Sequence, residues 1–363
     1  MAALTIDALR AYGVDVTVLT PPDSRRAGRL HGAGPRWRAW TAAAAAGARH
    51  RLPATIARHA WSDGACRVSA HLQARPVDAI HVEQLQALHA AEPAIDAGVP
   101  SVLRMHNVES DVWHAMAGRR PWIAPLLRRE ARRLAAFEST ALARVGATVT
   151  LTEEDRSTLT RLAPDARVTC IAAPAPMAAA SPPAPLDGTP ACVWLGTAGW
   201  AGNDDGLAWL RREVWPAITG ALPGARLHVF SGQPSSPAAG VVGHGPAASS
   251  TDAFAPRSIL LLPLRDAPGV RMRVLEAWAN AVPVVATPAA VRGLHVHDGE
   301  NVLVAADAGG FATQIARLHT SPGLRERLQA GGRAAIDRDH SPAAVAARLL
   351  ACYEDVIRRS RSR

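Results

Sequence analysis

Two arginines and a glutamate are spaced in a way that suits a phosphorylated ligand. An apolar run is followed by a loop that contains Gly269. Arg271 and Arg273 then begin a segment with helical spacing. A helix N-terminus presents free backbone N–H groups and the positive end of the helix dipole, which both favour an anion. Two guanidinium groups add charge-assisted hydrogen bonds of roughly 1.5–3 kcal/mol each. The pattern predicts a diphosphate site, with Glu276 one turn further on to accept hydrogen bonds from a ribose diol. A surface helix with two solvated arginines fits the same pattern about equally well.

Short apolar runs alternate with Ala-, Leu- and Arg-rich stretches of helical spacing through most of the chain. Strands are predicted over residues 14–19, 77–82, 99–105, 147–151, 168–171, 191–195, 226–230, 259–262 and 282–286. Helices are predicted over residues 5–12, 85–95, 122–142, 204–213 and 271–279, from about 307, and from Ser341 to about 357. Such alternation is typical of a parallel sheet covered by helices on both faces.

A proline-rich segment divides the sequence. Residues 172–190 contain six prolines, which cannot continue a helix or a central strand, so this segment is predicted to be a linker. A chain of 363 residues is also too long for one ordinary domain. We therefore predict an α/β protein with two doubly wound, Rossmann-like domains and an interdomain cleft. The domains would span residues 1–171 and 191–340, and a C-terminal helical segment, 341–363, would pack back on the first.

The segment around the two arginines resembles the nucleotide-sugar site of the retaining GT-B glycosyltransferases of group 1, which include many bacterial polysaccharide and glycolipid hexosyltransferases. The resemblance is carried by Pro263-Leu264, Gly269-Val270-Arg271-Met272-Arg273, Glu276-Ala277 and Pro283-Val284-Val285. It implies that the second domain binds the nucleotide sugar, through Arg271 and Arg273 at the diphosphate and Glu276 at the ribose. It also implies donor-binding roles for Gly269 and Val270 in the loop and for Gly196 and Asn203 in the glycine-rich turn that opens the second domain. Gly245, in a predicted loop over residues 240–245, would lie near the nucleotide base.

In the first half of the chain, Arg104-Met-His-Asn-Val-Glu109 resembles the family's His-Asn-x-Glu segment. The resemblance implies an acceptor-binding domain in which His106 lies near the reacting sugar and Asn107 and Glu109 bind substrate. By residue type alone, His106 fits equally a loop histidine without a role. Glu138 matches a glutamate common in relatives, and we expect it to form a structural ion pair.

The sequence departs from the family pattern at three places. Pro268 stands where many relatives have a glutamate that contacts the donor sugar, and Arg273 replaces the usual lysine. Relatives also begin with a strand and a glycine-rich loop, whereas this sequence starts inside the first helix. The first, central strand is therefore expected to be missing, through a misassigned start or a true truncation.

Charge and cysteine usage suggest partners and compartment. Between Asp23 and Asp63 there is no acidic residue, and the eight arginines there are interleaved with Trp37 and Trp40. Together with the arginines at 128–133, this run suggests contact with an anionic membrane surface, although a solvated basic face is an equal alternative. We expect a cytoplasmic protein, peripheral at the inner face of the membrane, since the sequence shows no signal peptide, apolar span, disulfide framework or zinc pattern. No motif indicates a nucleic-acid partner.

The sequence and the resemblance thus predict metal-independent transfer of a hexose from a nucleotide sugar to a saccharide or lipid-linked acceptor, without a further cofactor. The resemblance implies retention of anomeric configuration and a role in envelope or extracellular polysaccharide or glycolipid synthesis. Metal independence is expected because no carboxylate pair is placed at a strand end. Two alternatives stay open. One is a catalytically silent binding or scaffold subunit of the same architecture, and the other is a sugar-nucleotide epimerase.

Overall fold

The computed structural model describes residues 1–21, 52–59, 61–232, 239–247, 249–265 and 269–362. The chain forms two compact units. The first contains residues 2, 6–172 and 346–363, and the second contains residues 1, 3–5 and 173–345. The tryptophan-containing part of the acid-free segment, with Trp37 and Trp40, lies outside the described residues, as does Pro268.

The first unit is built on a four-stranded parallel sheet. In chain order the elements are α1 (Ala2–Ala11), α2 (Ala54–His59), α3 (Gly64–Ala74), β1 (Ile80–Glu83), α4 (Leu88–Asp96), β2 (Ser101–Met105), α5 (Glu109–Arg119), α6 (Ala124–Arg144), β3 (Ala147–Thr150), α7 (Glu153–Leu162) and β4 (Val168–Cys170). The strands pair in the order β1-β2-β3-β4. Every residue of β2 and β3 is buried. Such central strands are largely apolar because the connecting helices cover both faces of a parallel sheet.

The second unit has a six-stranded parallel sheet. Its elements are β5 (Ala191–Leu195), α8 (Ala201–Trp209), a π turn (Leu210–Val214), α9 (Trp215–Ala221), β6 (Arg226–Phe230), β7 (Val241–Gly245), a short 3-10 helix (Ser250–Ala253), β8 (Ile259–Leu262), α10 (Met272–Ala279), β9 (Val284–Ala286), β10 (Leu303–Val304), α11 (Ala308–Thr320), α12 (Pro322–Ala335) and a second π turn (Ile336–His340). The strand order is β10-β9-β8-β5-β6-β7. The order reverses at β5 and β8, and in open sheets of this kind ligands bind at the carboxyl ends of the strands beside such a switch point.

The last helix, α13 (Pro342–Arg361), returns to the first unit from residue 346 onward. Val356 on this helix covers Gly146 so closely that a Cβ atom at Gly146 would overlap its side chain. The Tyr353 hydroxyl hydrogen-bonds His81 Nδ1 at 2.7 Å. Residues from both ends of the sequence therefore complete this unit. None of the described helices combines the length and the apolar content that crossing a membrane requires.

Two sequence-based expectations about secondary structure are wrong. Residues 14–19 were expected to form a strand, but they have no sheet partner among the described residues, and Val18 is 46% exposed. Strand propensity reflects packing against neighbouring strands, so an isolated run of β-branched residues does not fold into a strand by itself. Residues 241–245 were expected to be a loop, but they form β7 along β6, where an edge position tolerates glycine.

Candidate functional site

In the second unit, the glycine-containing loop delivers two arginines to the start of α10. Gly269 has φ +73°, a backbone conformation that favours glycine. Arg271 is the N-cap residue of α10, and Arg273 lies in its first turn. Because the helix starts at Met272, the free N–H groups of its first turn and the two guanidinium groups occupy one region. The structure therefore has the components of an anion site at this helix end.

Hydrogen bonds to the end of β5 hold the Arg273 guanidinium. Its Nη1 donates to the Leu195 carbonyl oxygen, and its Nη2 donates to Asn203 Oδ1 at 2.7 Å. The Asn203 amide in turn donates to the Thr197 carbonyl at 3.0 Å, which fixes which end of the amide faces the arginine. Residues some 70 positions apart are thus joined, and the guanidinium is ordered before any ligand binds.

Gly196 leaves little room for a side chain. A Cβ atom there would lie 3.2 Å from Trp194 Nε1 and 3.4 Å from Arg273 Nη1. The backbone N–H of Gly196 donates to the Phe230 carbonyl at 3.1 Å, which ties the carboxyl ends of β5 and β6 together. Gly196, Asn203 and Arg273, which the sequence suggested separately, therefore meet at one point.

Two tryptophans that the sequence did not single out as site residues lie beside the arginines. The Arg271 guanidinium carbon is 5.4 Å from the ring centroid of Trp200, and that of Arg273 is 5.7 Å from the ring of Trp194. Cation–π contacts of this kind hold a guanidinium in place without neutralising its charge. The signal available in the sequence was the position of Trp194 and Trp200 on either side of the Gly196 turn.

The site has an excess of positive charge. Burial lowers the pKa of Arg273 to about 10, although the Glu276 carboxylate acts in the opposite direction. Burial raises the pKa of Glu276, against a hydrogen bond from Ser250 and the charge of Arg273. No carboxylate of the described residues forms an ion pair with Arg273. A partly buried cation without an ion-pair partner is stabilised when an anion binds beside it.

β7 ends at Gly245, five residues before Ser250, which hydrogen-bonds Glu276. Gly245 ends the strand with φ +73°, and a Cβ atom built there would touch nothing within 4 Å. The chain then enters the short helix of Ser250–Ala253, whose first residue hydrogen-bonds Glu276. The structure thus brings Gly196, Asn203, Arg271, Arg273 and Glu276 together. It shows no direct contact between Gly245 and these described residues. Val270 lies in the loop between Gly269 and Arg271.

In the first unit, His106 directly follows β2 and has hydrogen-bond partners on both ring nitrogens. Its Nε2 lies 2.5 Å from Glu83 Oε1, and its Nδ1 lies 2.9 Å from the Gln84 side-chain amide. Gln84 has φ +75°, unusual for a residue other than glycine and a form of backbone strain that is frequent at functional sites. His81 also contacts Glu83, through Nε2 at 2.9 Å. A sugar hydroxyl that hydrogen-bonds the imidazole would therefore replace one of these partners.

Glu83 is a candidate functional residue that sequence reasoning missed. Burial raises its pKa, but hydrogen bonds from His106 and His81 and the nearby Arg104 outweigh that effect and hold the pKa well below its usual range. Arg104 is fully buried with Nη1 4.0 Å from Glu83 Oε2. The carboxylate therefore stays ionised and can orient the His106 ring through the hydrogen bond to Nε2. The sequence signal was the alternation of His81 and Glu83 on one strand.

Asn107 and Glu109 lie at the start of α5, next to His106. Glu109 Oε1 accepts a hydrogen bond from Gln86 at 2.8 Å. Burial raises the pKa of Glu109, whereas hydrogen bonds from Gln86 and Asn107 lower it. His106, Asn107 and Glu109 are thus neighbours through both sequence and contacts.

The ion pair expected at Glu138 is not formed among the described residues. The Glu138 carboxylate is fully buried and accepts hydrogen bonds from the backbone N–H of Glu109 at 2.7 Å, the backbone N–H of Ser110 at 3.3 Å and the Ser110 hydroxyl at 2.6 Å. It caps the N-terminus of α5 from a neighbouring helix. The reason is that the first N–H groups of a helix lack partners within the helix itself.

Across the described part of the chain, no group of three or more His, Cys, Asp or Glu side chains is arranged to hold a metal ion. Metal-independent chemistry stays a prediction.

Comparison with known proteins gives matches at the level of family and fold. Residues 189–321 match the family model described as glycosyl transferases group 1. Residues 2–174 match the model described as glycosyl transferase 4-like domain. A comparison with curated protein sequences found no match.

Several solved structures share the fold. Sucrose-phosphate synthase from Thermosynechococcus elongatus is 15% identical with a TM-score of 0.59, and the match covers 80% of this chain and 77% of that protein. A UDP-forming α,α-trehalose-phosphate synthase from Burkholderia vietnamiensis is 12% identical with a TM-score of 0.61, covering 83% and 76%. Anabaena Alr3699/HepE in complex with UDP-glucose is 11% identical with a TM-score of 0.58, covering 80% and 82%. At these identities the likeness establishes the two-unit Rossmann-like architecture.

Proposed function

The chain belongs to the glycosyl transferases of group 1, and from that membership we propose that it moves a hexose from a nucleoside diphosphate sugar to a hydroxyl of a saccharide or lipid-linked acceptor. The observation that carries the proposal is the pair Arg271 and Arg273 at the start of α10, with Arg273 held by Asn203 and without an ion-pair partner among the described residues. That two structures of similar fold are described as UDP-forming or as complexes with UDP-glucose supports a nucleotide-sugar donor.

The chemistry that the arginines would perform is electrostatic. Transfer separates charge, because the diphosphate leaves while the sugar becomes oxocarbenium-like. Groups that are already ordered toward the developing charge lower the barrier without reorganising at the moment of reaction. Arg273 meets this condition through its hydrogen bonds to Leu195 and Asn203. In this proposal the two arginines and the α10 N-terminus stabilise the leaving diphosphate, and no divalent metal is required.

The first unit would supply the groups near the reacting sugar. We assign this position to His106, with Glu83 orienting the ring from Nε2 at 2.5 Å. An imidazole oriented by a carboxylate can hydrogen-bond a sugar hydroxyl and take part in proton transfer. Asn107 and Glu109 would contact substrate beside it. Retention of anomeric configuration is part of the proposal.

Isothermal titration calorimetry with UDP, GDP and ADP tests the donor site. We expect one of these nucleotides to bind, and Arg271→Ala to weaken it by on the order of ten- to a hundredfold through loss of a charge-assisted contact. Arg317→Ala is the matched control, because Arg317 is an exposed arginine on α11 whose side chain, among the described residues, hydrogen-bonds only Gln314. A folded wild-type chain that binds none of the three nucleotides would refute the proposal.

Product analysis separates transfer from the two alternatives. Incubation with UDP-glucose, GDP-mannose and other sugar nucleotides should release the nucleoside diphosphate, and with a suitable acceptor should give an α-linked product by NMR. An epimerase would change the sugar without a glycosidic bond being formed. A binding subunit would bind nucleotide and leave it unchanged.

We further propose that the first unit attaches to anionic membranes through the junction of α5 and α6. Trp122 is 79% exposed and Leu126 is 64% exposed at this junction. Residues 119–133 contain six arginines and one acidic residue, Glu130, which is already paired with Arg133 at 2.9 Å. Protruding apolar side chains within a basic surface suit insertion at an anionic headgroup layer.

Vesicle flotation tests this attachment. Binding to vesicles that contain phosphatidylglycerol should exceed binding to phosphatidylcholine vesicles and fall with added salt, since exposed charges are screened beyond about 10 Å at 0.1 M. Trp122→Ala combined with Leu126→Ala should reduce it, whereas Met177→Ala, which removes an equally exposed apolar side chain of the second unit, should not. Equal flotation with both lipids would contradict the proposal.

A further inference from the structure

A chain of hydrogen bonds connects the last helix to His106. The Tyr353 hydroxyl on α13 lies 2.7 Å from His81 Nδ1. His81 Nε2 lies 2.9 Å from Glu83 Oε2, and the other oxygen of this carboxylate, Oε1, lies 2.5 Å from His106 Nε2. All four side chains belong to the first unit. Tyr353, some 250 residues after His106 in the sequence, is thus three hydrogen bonds away from it in the structure.

The carboxylate at the centre of this chain determines which nitrogens of the two histidines carry a proton. The pKa of Glu83 lies well below its usual range, because hydrogen bonds from His106 and His81 and the nearby Arg104 outweigh the effect of burial. An ionised carboxylate can only accept hydrogen bonds, so Nε2 of His81 and Nε2 of His106 both carry a proton. In the neutral form of each ring, Nδ1 then holds a lone pair.

The partner at each Nδ1 agrees with this assignment. Burial raises the pKa of Tyr353, so the phenol keeps its proton and donates to His81 Nδ1. The side-chain nitrogen of Gln84 can only donate, and it lies 2.9 Å from His106 Nδ1. One tautomer, with the proton on Nε2, therefore satisfies both nitrogens of both rings.

The Tyr353 hydroxyl fixes the orientation of the His81 ring. If that ring turned over, carbon atoms would replace its nitrogens, and the hydrogen bonds to Tyr353 and to Glu83 would both be lost. The tyrosine ring also packs edge-on against the imidazole, with the centroids 5.9 Å apart and the planes inclined by 89°. His81 in turn donates the hydrogen bond at Glu83 Oε2, from which Arg104 Nη1 is 4.0 Å away. The position of the carboxylate that holds His106 thus depends on Tyr353.

Resting on the proposed function, we propose that Tyr353 is a positioning residue for His106, and that it acts through His81 and Glu83 to turn the Nδ1 lone pair of His106 toward the substrate. Nε2 of His106 is bound to an ionised group, whereas Nδ1 is bound to the neutral amide of Gln84, an exposed residue. Hydrogen bonds to ionised groups are roughly twice as strong as those between neutral groups, so a substrate displaces Gln84. The group that it presents must donate, which a sugar hydroxyl does and a ring oxygen does not.

NMR of the chain with nitrogen-15 in its histidines tests the hydrogen-bond chain without any substrate. Two-bond correlations between ring hydrogens and ring nitrogens distinguish the two tautomers, and His81→Gln and His106→Gln assign the signals. In the wild-type chain both rings should carry the proton on Nε2. Tyr353→Phe keeps the ring and removes the hydroxyl, so it should shift the His81 Nδ1 signal most and the His106 signals by a smaller amount. His81→Gln, which interrupts the chain one step nearer, should also shift His106.

The matched control is Tyr12→Phe, at the only other tyrosine of the chain. Tyr12 is 50% exposed, and its hydroxyl has no hydrogen-bond partner among the described residues. This substitution should leave the signals of both histidines unchanged.

Release of nucleoside diphosphate from the sugar nucleotide measures the effect on transfer. Tyr353→Phe should lower kcat by roughly three- to tenfold, the equivalent of one ordinary hydrogen bond, while nucleotide affinity measured by calorimetry stays constant. In a chain that already carries Glu83→Gln, the same substitution should lower kcat no further, because the effects of residues in one hydrogen-bond network do not add.

The outcomes separate this inference from the proposed function. His106 signals that are unchanged in both Tyr353→Phe and His81→Gln would overturn the positioning role and leave the donor proposal intact. A proton on Nδ1 of His106 in the wild-type chain, or an equal loss of kcat with and without Glu83→Gln, would also overturn it. A wild-type chain that releases no nucleoside diphosphate from any sugar nucleotide would refute the proposed transfer, and the NMR shifts would still decide whether Tyr353 orients His106.

Discussion

Replacement of Glu138 by alanine should destabilise the N-terminus of α5 specifically. The carboxylate is the buried acceptor for three donors, two of which are backbone N–H groups of the first helical turn. Each buried donor that loses its partner costs about 1–3 kcal/mol. Even if the Ser110 hydroxyl finds another acceptor, the two backbone groups give a loss of about 3 kcal/mol, which corresponds to more than a hundredfold faster local opening.

The Glu138→Gln variant separates the hydrogen bonds from the charge. Burial raises the pKa of Glu138 from 4.5 to about 7, and hydrogen bonds from Ser110 and Glu109 oppose this shift. Because the folded pKa exceeds the unfolded one, the folded state binds more protons, and the stability that Glu138 contributes falls as pH rises from 4.5 through 7. The full loss above pH 7 is about 3 kcal/mol. Glutamine keeps a carbonyl acceptor and does not titrate, so its stability relative to wild type should increase with pH.

Hydrogen–deuterium exchange of residues 109–119 measures the effect locally, which avoids treating a two-unit chain as a two-state system. Alanine should accelerate exchange in α5 most at low pH and by less as the pH rises through 7, and glutamine should not accelerate it above pH 7. Equal acceleration by alanine and glutamine would refute the reasoning about hydrogen bonds. A difference between wild type and glutamine that is the same at pH 5 and pH 8 would refute the assigned titration.

Three further expectations concern the site. Glu83→Gln should lower kcat by on the order of tenfold or more while nucleotide affinity measured by calorimetry stays constant, because Glu83 contacts His106 and lies in the first unit; an unchanged kcat would contradict the role of the pair. Gly196→Ala should weaken nucleotide binding by roughly tenfold with little change in Tm, since its Cβ atom would lie 3.4 Å from Arg273 Nη1; wild-type affinity would show that the guanidinium position is not critical. Transfer measured by release of nucleoside diphosphate should be unaffected by EDTA, and activity that is abolished by EDTA and restored by Mg²⁺ or Mn²⁺ would disprove metal independence.

The arrangement at the start of α10 could be predicted from the sequence because its residues are close together in the chain. Gly269, Arg271 and Glu276 lie within two helical turns, so that one loop and one helix fix their geometry. The order of strands and helices followed for the same reason, since it depends on local periodicity.

The parts that could not be predicted depend on alignment between strands. Glu83 meets His106 because β1 and β2 pair with Glu83 opposite Arg104, and the sequence contains no direct record of that register. The His244 ring stacks on the Phe230 ring because one extra residue is inserted in β7. The strand predicted over residues 14–19 was wrong for the opposite reason. The local sequence favours a strand, but none of the described strands pairs with it.

The return of α13 to the first unit has a consequence for the order of events during synthesis. Val356 packs against Gly146, and Tyr353 hydrogen-bonds His81 across 272 positions of sequence. Translation at about 5–20 residues per second needs about 10–35 s to pass from the end of the first sheet to this helix. For that interval the nascent first unit exposes the apolar surface around Gly146, while the second unit emerges complete and can fold. A chaperone that binds the nascent chain should therefore protect the first unit longest, although that unit is made first.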